Sequence, residues 1–550
     1  AWAGGDTLNN GAINVSGQSA GQKGGTVVLG GDRVAVYGSA NLDASGVAGG
    51  GAVVIGGDSL HKATSAANIG FANQTVIGSG AQINIGSGQG DGGFVETSGK
   101  QLSMQGQVEA ASAGKAGQWL IDPTDITINT ATSTATNTSN VWSGSANSAV
   151  VNNASIENAL NNGANVTVTT NSSGSGTGNI NVNANIAMTA ANTSANLALV
   201  ANGSIAFASG VNITASNNAS LGLNATASGG LSVTNTTIAT NGTVKLSALG
   251  TSSISGTTAI AAGAGTVDIV VNTGQNGPYG LGISGNLTTN GTVNVAGVAS
   301  YYGVNSLALA GNITVLGGTT TFSSNSTGGS TYSIMLNGVT IATRGSGVAN
   351  VTFNGATPGV GFANVTNTLD ASGGGSINLW SATTGQYPGL TTNGTLTTNG
   401  TVNLYGSSSY YAQDGVVLQS RINVLGGTTT ISGSGISGGN GVTLNGATIL
   451  TQGSGIANIT YNGNGKGVSF ANVNNTLDAS GGGAINLYSA TSGQVPALAT
   501  NGTLTTNGTV NLTGVAGYFG MNGTVLQSTI KVMGGTTTIS GSPSGPGNAV

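Results

Sequence analysis

Hydrolysis or elimination needs acids and bases gathered on one face, with at least one displaced pKa. From residue 158 onward the only acids are Asp268, Asp370, Asp414 and Asp478, and the only bases are Lys245, Arg344, Arg421, Lys466 and Lys531. Asp370 and Asp478 occupy matching positions in successive copies of a long repeat. That spacing predicts about five coils between them, about 24 Å at about 4.8 Å per coil, too far for a catalytic pair. An Asp at such a place is expected to accept hydrogen bonds from nearby turn amides. The single histidine, His61, has Asp58 and Lys62 beside it, but no Ser-His-Asp arrangement and no metal-ligand spacing. The Gly-Gly-x-Gly-x-Asp calcium repeat is absent too. The expectation is a protein that is not an enzyme, with no catalytic residue, metal site or cofactor.

A second recurring figure is Asn-Gly-Thr, beginning at Asn241, Asn290, Asn393, Asn399, Asn501, Asn507 and Asn522. Each is an Asn-x-Thr glycosylation acceptor triplet. Asn-Gly also supplies positive-φ turn residues, and stacked Asn side chains form amide ladders along a solenoid. The two readings are compatible, because a turn at a coil corner is exposed. Trp380, Tyr405, Tyr410, Tyr411, Tyr461 and Tyr488 recur near strand ends. They are expected to stack from coil to coil or cover the core, with a few left for a binding strip.

Short strands must position these residues. From Ile377 to Leu487 an apolar-polar-apolar triplet returns as Ile377-Asn378-Leu379, Val402-Asn403-Leu404, Ile422-Asn423-Val424, Val442-Thr443-Leu444, Ile459-Thr460-Tyr461 and Ile485-Asn486-Leu487. The steps are 25, 20, 20, 17 and 26, and the last triplet repeats the first at a spacing of 108. Repetition on this scale predicts a solenoid, in which each coil buries its apolar face against its neighbours. Triplets from Val166 to Leu246 follow at steps of 10 to 17, as expected of successive faces of a three-sided coil. Residues 1–128 add Val27-Val28-Leu29, Val34-Ala35-Val36, Val53-Val54-Ile55, Ile83-Asn84-Ile85 and Leu102-Ser103-Met104, punctuated by Gly-Gly pairs. Ser155 to Leu160 is the one helical stretch, with Ser155 as its expected cap.

These patterns divide the chain into a β-helix segment at 1–128 and an excursion with a short helix at 129–160. Coils follow at 161–285, and the long repeats, with a spacing of 108 to 109, occupy 286–550. The expected fold is an all-β parallel β-helix with long-period repeats of about five coils. Some 25 coils would give a rod of about 120 Å.

Of 550 residues, 99 are Gly, 4% are charged and none is Cys. No apolar run approaches the roughly 18–20 residues of a spanning helix, so the chain is expected not to span a membrane. Abundant alternating Thr, Val and Ile argue against disorder. Ten Lys and Arg scattered over the chain make no basic stripe, which excludes nucleic acid as a partner. The absence of Cys fits an exported protein that must avoid premature disulfide locking. The chain opens Ala1-Trp2-Ala3 and stops in mid-repeat on Val550, the counterpart of Val442. It is expected to be a piece of something longer.

Gly92-Gly93-Phe94-Val95-Glu96-Thr97-Ser98-Gly99-Lys100 is followed by Gly117-Gln118-Trp119-Leu120-Ile121-Asp122-Pro123-Thr124-Asp125-Ile126-Thr127-Ile128. With Gly30-Gly31-Asp32-Arg33-Val34-Ala35-Val36 and Leu42-Asp43-Ala44-Ser45-Gly46, this pair resembles the filamentous-haemagglutinin and high-molecular-weight-adhesin family of two-partner-secretion exoproteins. The resemblance covers roughly residues 20–128, and 155–250 in looser pattern. It implies a right-handed parallel β-helix, export through an outer-membrane partner pore, display at the Gram-negative cell surface, adhesion, and glycosylation at Asn-x-Ser/Thr triplets. The family's Asn-Pro-Asn signatures do not occur, which implies that the N-terminal secretion domain lies outside this chain. The functional expectation is a secreted adhesin or filament exoprotein, contacting a host or neighbouring cell or other copies of itself. Alternatives are a matrix protein that assembles without a receptor, the stalk of a contact-dependent toxin, and a carbohydrate-active β-helix enzyme.

Overall fold

A strand whose alternate residues are apolar buries one face, and a run of such strands joined by glycine-rich turns buries them all by coiling. The computed structural model describes all residues except 2, 63–68, 132–135, 139–140, 144–148, 171–175, 274–278, 300–304, 327–331, 437 and 520. The chain is an all-β parallel β-solenoid of about 18 turns with one short helix. It divides into two units, residues 1–250 with 258–268, and residues 251–257 with 269–550.

The first unit stacks its strands in three ladders. In one, Thr26–Leu29, Ala52–Ile55, Phe94–Ser98, Gln118–Asp122, Asn165–Thr169 and Ser194–Ala201 pair in parallel in that order. A second runs through Asp6–Asn9, Arg33–Val36, Gln74–Ile77 and Gln101–Met104. It continues with Ala149–Asn152, which is inserted ahead of Ile126–Asn129. The third begins with Ala12–Asn14, Asn41–Asp43, Gln82–Asn84 and Gln107–Glu109. It resumes as Ile186–Met188, Asn212–Ala215 and Thr237–Ala239. Ile186–Met188, Ile205–Phe207 and Thr237–Ala239 are strands that the triplet pattern passed over.

Between the two parts of the third ladder lies the helix Asn153–Asn161, packed against Gln107–Glu109 on one side and Ile186–Met188 on the other. Asn152, not Ser155, caps it, accepting the Ala154 N–H at 2.9 Å, while Ser155 is buried within the first turn. A helix cannot continue a ladder, so its side chains take over the task. Glu157 Oε1 accepts the Ala187 N–H at 2.8 Å, and Asn161 Oδ1 accepts those of Thr189 and Ala190 at 2.7 and 2.8 Å. Trp142 belongs to residues whose side chains are not described.

The second unit is three-sided as well. Ile377 pairs with Val402, Val402 with Thr429, Thr429 with Ala457 and Ala457 with Ile485. Ile422 and Val442 belong to the other two ladders, where they register with Leu396 and Val416. Four turns, not five, therefore separate Ile377 from Ile485. The steps of 20 are partial turns between faces, so counting each triplet as a coil overestimates the turns, giving 25 in place of about 18. Asp370 and Asp478 are likewise four turns apart, about 19 Å. Inward side chains such as Ile377, Leu404, Ile431, Ile459 and Leu487 are at most 1% exposed. Each contributes about 1.5–3 kcal/mol from burial.

One corner of this unit carries a glycine of positive φ in turn after turn, including Gly400, Gly427, Gly508 and Gly535. At Gly427, where φ is +67°, an added methyl group would come within 2.5 Å of the Gly400 carbonyl oxygen. At Gly446, where φ is +74°, it would meet nothing within 4 Å. Gly427→Ala should therefore cost the left-handed penalty plus a clash, about 2–5 kcal/mol in all. Gly446→Ala should cost only the backbone term, about 1–2 kcal/mol. Hydrogen-exchange protection of the strand Arg421–Gly435 reads the first, and that of Thr448–Gln452 the second. Equal losses would mean that the corner relaxes around the methyl group.

Candidate functional site

In the first unit Phe94–Ser98 lies beside Gln118–Asp122, with Glu96 against Leu120 and Ser98 against Asp122. Alternation sends Val95, Thr97, Trp119 and Ile121 inward. Trp119 is fully buried, and its indole Nε1 donates to Thr97 Oγ1 at 3.1 Å. Glu96, Ser98 and Asp122 fall on the opposite face, which water normally meets. They are nevertheless 0, 0 and 6% exposed. Residues 56–62 lie against them, and the Ala72 N–H donates to the Gly56 carbonyl at 2.7 Å. Glu96 Oε1 accepts the Ser59 N–H at 2.7 Å and the Ser98 hydroxyl at 2.8 Å. Asp58, 2% exposed, accepts the Lys62 N–H at 2.8 Å. His61, at φ +51°, lies in that turn, with its N–H donating to the Asp58 carbonyl at 3.3 Å.

The result is a buried carboxyl cluster. Burial pushes Asp122 up to about 7, and the charge of Glu96 adds to the effect. Glu96 is raised too, chiefly by burial, against the opposing hydrogen bonds from Ser59 and Ser98. Glu96 Oε2 and Asp122 Oδ1 are buried with no hydrogen-bond partner among the described residues. Two such groups hold a proton near neutral pH more readily than either does in water. Among the described residues no group of three or more His, Cys, Asp or Glu could hold a metal ion. Nor is any described helix long and apolar enough to cross a membrane.

Sequence reasoning passed over this cluster, although Glu96 and Asp122 stood in the stretches it found most distinctive. The available signal was an acid on the outer face of a strand whose neighbours along the chain are apolar or hydroxyl-bearing. The cover contributed by residues such as Gly57 and Ser59 leaves no periodic trace.

Asp370 and Asp478, singled out from the sequence, are turn-makers. Leu-Asp-Ala-Ser-Gly occurs at 42–46, 369–373 and 477–481. In each copy the Asp Oδ1 accepts the Ser N–H two residues on, at 3.0, 3.0 and 2.9 Å for Asp43, Asp370 and Asp478. Burial alone would raise Asp370, but Ser372 and then Arg344, at 3.5 Å, hold it below the usual range. Asp414 accepts the Asn440 N–H and the Thr443 hydroxyl, each at 2.7 Å.

The seven Asn-Gly-Thr triplets are not equivalent. Asn290 and Thr292 are both exposed, as are Asn241 and Thr243, although the Asn241 amide donates to the Ala219 carbonyl at 2.9 Å. Asn393 and Asn501 are exposed, while Asn399 and Asn507 are half-buried beside exposed Thr401 and Thr509. Asn522 is half-buried and its Thr524 is only 1% exposed. Among the aromatics, Trp380 stacks on Tyr405 with ring centroids 6.1 Å apart and planes 5° from parallel. Tyr461 is in the core, its hydroxyl accepting the Gly465 N–H at 2.6 Å, and Tyr411 is 72% exposed. Beside the Trp380–Tyr405 pair, Asn378 Nδ2 donates to Asn350 Oδ1 at 3.0 Å, and Asn403 Nδ2 to Asn378 Oδ1 at 2.9 Å. A second amide ladder joins Asn458, Asn486 and Asn511.

Compared with models of known protein families the chain matches none, and a search of curated proteins finds no match.

The raised carboxyls fix a sign. Asp122 has a folded pKa of about 7 against an ordinary 3.8, so between these values the folded state binds more protons than the unfolded state. Stability of the first unit should fall as pH rises from about 4 through about 7, then level off. Asp122→Asn should flatten that slope and raise stability above neutral pH by roughly 1–3 kcal/mol. Denaturant melts at several pH values test it, followed by Trp119 fluorescence after Trp2, Trp142 and Trp380 are replaced by Phe. A slope unchanged in the variant would remove Asp122 as its source.

Proposed function

We propose that this chain belongs to a secreted adhesin or filament exoprotein, exported through an outer-membrane partner pore and displayed at the cell surface. The observation that carries the reading is the outer face of the second unit. Asn350, Asn378 and Asn403, then Asn458, Asn486 and Asn511, tie one turn to the next through side-chain amides. Such a face is uncharged, hydrogen-bonding and repetitive, suited to contact with another surface rather than to enclosing a small substrate. The resemblance of residues 92–100 and 117–128 to two-partner exoproteins supports the same reading. The solenoid would then be right-handed, and its long repeat a duplicated building block.

Attachment is the direct test. Beads coated with the purified chain should bind epithelial cells saturably and be displaced by soluble chain. Binding no better than to beads bearing an unrelated β-solenoid would overturn the adhesin reading, and self-association under the same conditions would replace it with the matrix alternative.

On this reading, glycans on the protein from its native source should follow exposure. Peptide mapping should find hexose on Asn290, where both acceptor residues meet solvent, and none on Asn522, whose Thr524 is buried. Hexose on Asn522 would mean that modification precedes folding.

A further inference from the structure

Asn393-Gly394-Thr395 and Asn399-Gly400-Thr401 are the same triplet met twice in close succession, yet their backbones are held differently. The Gly394 N–H donates to the side-chain oxygen of Asn393 itself, at 2.9 Å. The Gly502 N–H does the same to Asn501, at 2.8 Å. Both Asn side chains are exposed, and both glycines have positive φ, +70° and +75°. Oδ1 is bonded to Cγ, so this hydrogen bond brings the backbone nitrogen into contact range of the carboxamide carbon.

In two of the other triplets that nitrogen is engaged, and in two more the Asn side chain is hemmed in. The Gly291 N–H after Asn290 donates to the Gly317 carbonyl at 3.1 Å, and the Gly523 N–H after Asn522 to the Asn548 carbonyl at 3.1 Å. Asn399 is half-buried and registered against Gly426, and a methyl group placed on Gly426 would lie 3.0 Å from its Oδ1. Asn507 stands in the same relation to Gly534, also at 3.0 Å.

We infer that Asn393 and Asn501 are sites of spontaneous backbone-assisted deamidation, with water as the only co-reactant. The Gly394 nitrogen gives its proton to hydroxide and forms a bond to Asn393 Cγ. The Cγ–Nδ2 bond breaks, and the nitrogen takes up a proton from water and leaves as ammonia. Water then opens the five-membered imide. Attack at the side-chain carbonyl gives aspartate, and attack at the main-chain carbonyl gives isoaspartate, with one more carbon in the backbone. Either product adds a negative charge to a chain of net charge −4. At 393 it does so one turn from Arg421, whose N–H donates to the Gly394 carbonyl at 3.0 Å.

The test compares identical triplets within one chain. The full-length folded protein is incubated in mildly alkaline buffer and digested. Fragmentation then locates the mass gain of amide-to-acid conversion, and enzymatic methylation reports isoaspartate. Asn393 should convert about tenfold or more faster than Asn399, and Asn501 than Asn507, because alignment of the reacting atoms governs the rate. In denaturant, where all four share the same local sequence and no fold, the rates should converge. Equal rates in the folded chain, or Asn399 and Asn507 ahead, would overturn the assignment. A preference that persists in denaturant would overturn it too, by attributing the difference to sequence instead of fold.

Discussion

Every turn of this molecule depends on the turn beside it for its backbone hydrogen bonds. A parallel strand cannot pair within its own turn, so its N–H and C=O groups reach the equivalent strand one turn away. Three consequences follow from that constraint. Corresponding residues must keep register over many turns, which is why Ile377, Val402, Thr429, Ala457 and Ile485 line up. Corners must bring backbone against backbone, which is why Gly427 lies so near the Gly400 carbonyl. Any element that is not a strand must supply substitute partners, as Glu157 and Asn161 do from the helix.

The same constraint explains how much could be read from the sequence. Strands with one polar residue between two apolar ones left a clear trace, and those from Val27 to Leu487 fall where the alternation puts them. What alternation does not carry is the face to which a strand belongs. Ile422 and Val442 look like Val402 in sequence, yet each sits on a different ladder. Only inter-turn register separates a step between faces from a whole turn, and register is a long-range property. Thr237–Ala239 escaped because Ile238 alone carries its inward face, so the apolar-polar-apolar figure is missing. The cap of the helix moved from Ser155 to Asn152 because Ala149–Asn152 is itself a strand, delivering the chain to the helix with Asn152 in extended conformation.

The site was less legible than the fold. Asp370 and Asp478 drew notice as isolated charges, and each proves to organise its own turn. Glu96 and Asp122 drew none as chemistry, because what makes them unusual is a covering segment far from them in sequence. Burial of a carboxyl is a property of its neighbours, and the residues that follow Gly56 have no period to detect. The Asn-Gly-Thr triplets make the converse point. Seven copies of one sequence figure differ in exposure and in the partner of the glycine amide, so identical letters occupy distinct chemical situations.

The helix has one more consequence, for load. Across most of the first unit an axial pull would be shared by three hydrogen-bonded ladders. At Asn153–Asn161 the third ladder is interrupted, and the four strands ending at Gln107–Glu109 form a separate sheet. There the tension passes through two ladders and a handful of side-chain contacts, among them Glu157 to Ala187 and Asn161 to Thr189. Under stretching, that turn is the fuse of the unit.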